Sequence, residues 1–97
     1  MLIHQEKYNI TPVSGTVGQT IFTGRNMLRH IFVKATTGTT TFDAKLTDIY
    51  GNDVFIRDDY TGELNELLEF PAIGNWTLTI TNASADEVFN VLLLFEE

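Results

Sequence analysis

A chain of 97 residues that is 43% hydrophobic, with two prolines and no Ser/Gly linker, has the size and apolar content of one domain and argues against disorder. Six Lys and Arg stand against thirteen Asp and Glu, a net charge of −7, so a phosphate backbone or an anionic bilayer would be repelled; neither nucleic acid nor membrane is an expected partner. The absence of cysteine excludes disulfides, thiolate nucleophiles and Cys-ligated zinc.

Taken in chain order, residues 1–7 have neither a basic n-region nor an apolar core, so no secretory leader is expected, and residues 1–10 read as an extended arm or edge strand. Pro12, Val13, Ser14, Gly15 and Gly18 mark a loop region, followed by a short strand over Ile21–Thr23. Met27–Thr36 reads as a strand closed by a Thr37-Gly38 turn. Thr41–Thr47 alternates with Phe42, Ala44 and Leu46 inward, and a turn at Tyr50–Asp53 returns Val54–Arg57 as its hairpin partner.

Thr61–Phe70 is ambiguous, because Leu64, Leu67 and Leu68 have helical spacing and Pro71 would stop a helix there. A long connection carrying a short strand near Leu68–Phe70 is the preferred reading. Trp76–Thr81 is the clearest strand, with Trp76, Leu78 and Ile80 on one face and Thr77, Thr79 and Thr81 on the other. Glu87–Phe95 closes the chain, and its longest apolar run, Val91–Phe95, is far too short to span a bilayer. The short connection between these last two strands predicts that they pair antiparallel. Seven to eight strands over residues 1–97 predict an all-β fold, an antiparallel two-sheet sandwich of jelly-roll or Ig-like type. Its expected core is Phe42, Leu46, Trp76, Leu78, Ile80, Phe89, Val91 and Leu93.

Reactive groups are sparse: two histidines, His4 and His30, two serines, Ser14 and Ser84, and no catalytic or phosphate-binding motif. No catalytic residue is assigned and no cofactor is expected. His30 alternates with Leu28 and Phe32, which suits a partly buried strand residue better than a base. Asp58, Asp59 and Glu63 gather oxygen ligands around Gly62 and are the only calcium candidates, but the EF-hand spacing is missing and a solvated acidic turn is favoured. Trp76 with Tyr50 or Tyr60 could stack on a sugar, although Trp76 shares the inward register of Leu78 and Ile80.

The last strand carries the most informative pattern. Phe89, Val91, Leu93 and Phe95 make one apolar face, while Val88, Leu92 and Leu94 make the opposite face apolar too, where a two-layer sandwich normally meets water. Cover must come from a loop, from the Leu64–Leu68 segment, or from another subunit. Val88, Leu92 and Leu94, joined by Met1, Leu2 and Ile3 of the terminal arm, are therefore the expected interface.

The His30–Lys34 segment (HIFVK), the Leu46–Asn52 hairpin (LTDIYGN) and Gly74–Asn82 (GNWTLTITN) with its following strand resemble small β-sandwich proteins of tailed-phage virions, of the decoration or head-stabilising type. The resemblance covers about two-thirds of the chain. It implies a non-enzymatic accessory located on the virion, reinforcing contacts between shell subunits, with capsid protein and copies of itself as partners, commonly as a trimer. The G-x-W-T-L-x-I element also resembles closing strands of carbohydrate-binding jelly-rolls and convertase P-domains, which implies a sugar-binding module instead. Neither resemblance transfers functional residues.

Overall fold

The computed structural model describes residues 3–11, 17–38, 40–83 and 87–96. It contains six antiparallel strands: β1 (Ile3–Ile10), β2 (Val17–Ala35), β3 (Thr41–Thr47), β4 (Asp53–Thr61), β5 (Glu63–Thr81) and β6 (Phe89–Glu96). Their spatial order is β1-β6-β2-β5-β3-β4.

The two long strands explain how one continuous ladder makes two layers. The first half of β5 and the whole of β6 lie beside the second half of β2, from Met27 to Ala35, while the second half of β5 pairs with Val17–Gly24 and with β3. Three ladder steps separate β6 from β3, which on a flat sheet would be roughly 14 Å. Yet the Phe42 and Phe89 rings meet edge to face at 4.9 Å, so the sheet is folded over on itself. The bend falls where Gly24 pairs with Gly74: a Cβ on Gly24 would sit 2.1 Å from the Ala72 carbonyl oxygen, and Gly74 has φ +83°. Each long strand thus serves both layers, which reconciles six strands with the seven or eight segments read from the sequence.

Three expectations are corrected. The Ile21–Thr23 and Met27–Thr36 segments form a single strand, with Gly18 inside it, while the expected loop residues Pro12–Gly15 lie outside the described region. Thr61–Phe70 is neither helical nor a long connection, because Glu63 onward pairs continuously with β2, burying Leu64 and Leu68 and leaving Leu67 81% exposed. A helix would have needed all three leucines on one buried stripe. Finally, Trp76–Thr81 does not pair with the last strand. β2 lies between them, and the chain after Thr81 passes to the other layer. Alternation shows which residues share a face; it does not say which strand is the neighbour.

The eight expected core residues are all buried, alongside Leu28, Ile31, Val33, Leu64 and Phe95. Polar groups close the ends. Between Thr61 and Glu63 the chain turns through Gly62, whose N–H donates to Thr40 O at 2.7 Å and whose carbonyl accepts from Ala35 N–H at 2.8 Å. Glu66, inward on β5, receives Arg57 Nε at 2.7 Å, Arg57 Nη2 at 2.9 Å and the Tyr60 hydroxyl at 3.0 Å from β4, a bidentate clasp between the layers. The hydrogen bonds from Arg57 hold Glu66 below the usual carboxylate range. Glu87 is held low too, first by the Thr37 N–H that donates to it at 2.6 Å.

Candidate functional site: the outer face of the β1-β6-β2-β5 layer

Register places the outward side chains of this layer in rows across four strands. Gln5, Leu94, His30 and Leu67 form one row, Lys7, Leu92, Phe32 and Asn65 the next, and Asn9, Asn90, Lys34 and Glu63 the third. Ile3, 51% exposed, extends the first row's apolar end. The inward partners on β6, Phe89, Val91, Leu93 and Phe95, are core. β6 is therefore apolar on both faces, as its sequence suggested.

No described element lies over this face. The Leu64–Leu68 segment, a candidate cover, is coplanar with it as part of β5 and adds Leu67 to the exposed surface instead. A shallow depression of about 470 Å³ runs between Ile3, Leu94, His30 and Leu67, bordered by Arg29 and Glu69. Arg29 is bridged to both Glu69 and Glu96 at 3.1 Å, giving the apolar strip a paired, charged rim.

Of the expected interface residues, Leu92 and Leu94 are half-buried on this face and Ile3 joins them from the edge strand β1. Val88 precedes β6 and is half-buried; its carbonyl accepts the Thr36 N–H at 3.0 Å. Met1 and Leu2 lie outside the described residues. Sequence reasoning missed Phe32, His30 and Leu67. His30 and Phe32 point outward, stacked at 4.3 Å with rings 4° from parallel, although Leu28 is fully buried. A register shift between Leu28 and His30 inserts Arg29 and reverses the parity that placed all three together. The Phe32 and Leu92 pairing across strands was not readable without knowing that β2 and β6 are neighbours.

The other candidates are dispersed. Asp58 and Asp59 are exposed on a bulge of β4, where Asp59 has φ +59° and its N–H donates to Asp43, while Glu63 lies past the Gly62 corner on β5. The expected loop is thus a strand end, a corner and a strand start, so its carboxylates diverge. Among the described residues no three His, Asp or Glu side chains are placed to hold a metal ion. Trp76 is buried with its Nε1 donating to Ile73 O at 3.3 Å, and Tyr60 is engaged with Glu66, so neither makes a sugar platform with the exposed Tyr50. His4 sits beside Glu6 on β1, Nε2 to Oε1 3.1 Å.

No known protein family matches the chain, and no curated protein matches it in sequence. Solved structures do. The SPBc2 prophage-derived protein YomS superposes with a TM-score of 0.60 at 10% identity, over 98% of this chain and 96% of that one. The Yersinia pseudotuberculosis-derived mitogen gives 0.51 at 13% identity over 99% and 86%. PliG of Aeromonas hydrophila, a periplasmic inhibitor of g-type lysozyme, gives 0.50 at 16% identity over 95% and 83%. At such identities the likeness speaks for the fold alone, and it agrees with the ladder: this is an all-β, antiparallel chain of sandwich type.

Proposed function

We propose that the chain is a non-enzymatic interaction protein of a phage particle, a virion accessory of the decoration type that docks on capsid protein or on copies of itself through the outer face of the β1-β6-β2-β5 layer. The observation that carries this reading is the uncovered apolar strip of Ile3, Leu94 and Leu67 beside Leu92 and Phe32. Fully burying an exposed aliphatic side chain contributes roughly 1.5–3 kcal/mol, most nearly met by Leu67 and only in part by the half-buried Leu92 and Leu94, and a contiguous strip of them marks an interaction surface. A near full-length likeness to a prophage-derived protein supports the setting.

Leu94→Lys tests it. Charge on the strip should leave the β-type circular dichroism and, within about 0.5 kcal/mol, the stability unchanged, while abolishing self-association in sedimentation and retention on purified particles. A wild-type chain that sediments as a monomer and is absent from particles would remove the reading.

A further inference from the structure

The same face has a second half of different chemistry. Its third row, Asn9, Asn90, Lys34 and Glu63, is polar across all four strands, and beside it stand Lys7 and the Phe32 ring. Together they border a depression of about 320 Å³. Among the described residues, Arg29, Lys45 and Arg57 each have a carboxylate within bridging distance, whereas Lys7 and Lys34 have none. In a chain with thirteen acidic residues against six cations, this hollow sets two lysines against one carboxylate, Glu63, which stands opposite Lys34, and so carries a local net positive charge.

We infer that this hollow binds an acidic saccharide, a sugar carrying a carboxylate. One face of the Phe32 ring is stacked on His30, and the opposite face looks toward the Lys34 row, where it can take the C–H face of a pyranose. Asn9 and Asn90 each offer an amide donor and acceptor for hydroxyls, Glu63 offers acceptors, and the two ammonium groups match a carboxylate. A nucleic acid would need more cations than these two and would meet the −7 field. An apolar peptide has its surface in the neighbouring strip. The inference goes beyond the docking reading: the two share the border at Phe32 and Leu92, but this one turns on Lys7 and Lys34 and the other on Ile3, Leu67 and Leu94.

Titration calorimetry of the full chain with trigalacturonate, with 3′-sialyllactose, and with a neutral galactose trimer provides the test. At least one acidic sugar should bind, more tightly than the neutral trimer and more weakly as salt rises. The double variant Lys7→Gln/Lys34→Gln should lose about tenfold or more in affinity, and Phe32→Leu should weaken binding of acidic and neutral sugars alike. Leu94→Lys should bind the saccharide as wild type does, so failure of the docking reading and failure of this one are separable. No binding of either acidic sugar at about 10 mM, equal binding of acidic and neutral trimers, or affinity unaffected by the lysine substitutions would each overturn the inference. So would a Glu-rich peptide that binds more tightly than both sugars with the same lysine dependence, since that would assign the hollow to a protein.

Discussion

The outer faces of β3 with the second half of β5 and of β6 with β2 differ, although the same alternation builds both. On β3 and the second half of β5, the outward positions are Thr41, Asp43, Lys45 and Thr47 beside Thr77, Thr81 and the buried Thr79, all of them polar. On β6 and β2 they include Leu92, Leu94 and Phe32. Both layers bury an apolar inner face. An outward leucine contributes less to the core than an inward one, and these side chains are the basis of the docking proposal. The contrast within β6 is sharpest, because Leu93 is wholly buried and Leu94, its neighbour in sequence, faces out.

The largest effect should come from the inner face. Phe89→Ala removes the ring that meets Phe42 across the layers and should cost about 3–5 kcal/mol by chemical denaturation. A loss no greater than that of the outward Leu94→Ala would break the inner–outer distinction. Next is the corner that swings β4 into β5. Gly62 has φ +76°, and a Cβ there would lie 2.5 Å from the Gly38 carbonyl oxygen, so Gly62→Ala should destabilise by about 2 kcal/mol or more, read from the denaturation midpoint.

The Arg57–Glu66–Tyr60 clasp should contribute less, because Arg57 is partly exposed: Glu66→Gln should cost about 1–2 kcal/mol near neutrality. Its pH dependence has a definite sign. Glu66 and Glu87 titrate lower in the folded chain than their ordinary value of 4.5, so the stability they contribute is complete above that value and is lost as pH falls through their folded values. Acid unfolding should begin below about pH 4.5, and Glu66→Gln should have a shallower acid limb than the wild type. An identical slope would show that the clasp does not couple the layers.

Much of the inner architecture was legible because period-two alternation has a direct physical consequence. Trp76, Leu78 and Ile80 could share a face only as a strand, and the Tyr50–Asp53 turn was legible from its polar and glycine residues, though the structure starts it earlier: Asp48 Oδ1 accepts both the Tyr50 and Asn52 N–H at 2.9 Å. The outer face was half legible. Leu92 and Leu94 declared themselves by breaking the expected wet side, but His30 and Phe32 were misplaced with Leu28, since a bulge leaves no mark in hydrophobicity.

By itself, then, the sequence determined the all-β class, the strands at Thr41–Thr47 and Trp76–Thr81, eight residues of the core and the doubly apolar last strand, all of which follow from local alternation and composition. Only the tertiary structure decided that β2 separates β6 from β5, that Leu67 joins the exposed strip, and that Lys7 and Lys34 stand unpaired beside Phe32. Those facts depend on which edges meet. Pairing partners are chosen by the closure of the whole sheet around its core, through contacts between residues far apart in the chain, and no local period encodes them.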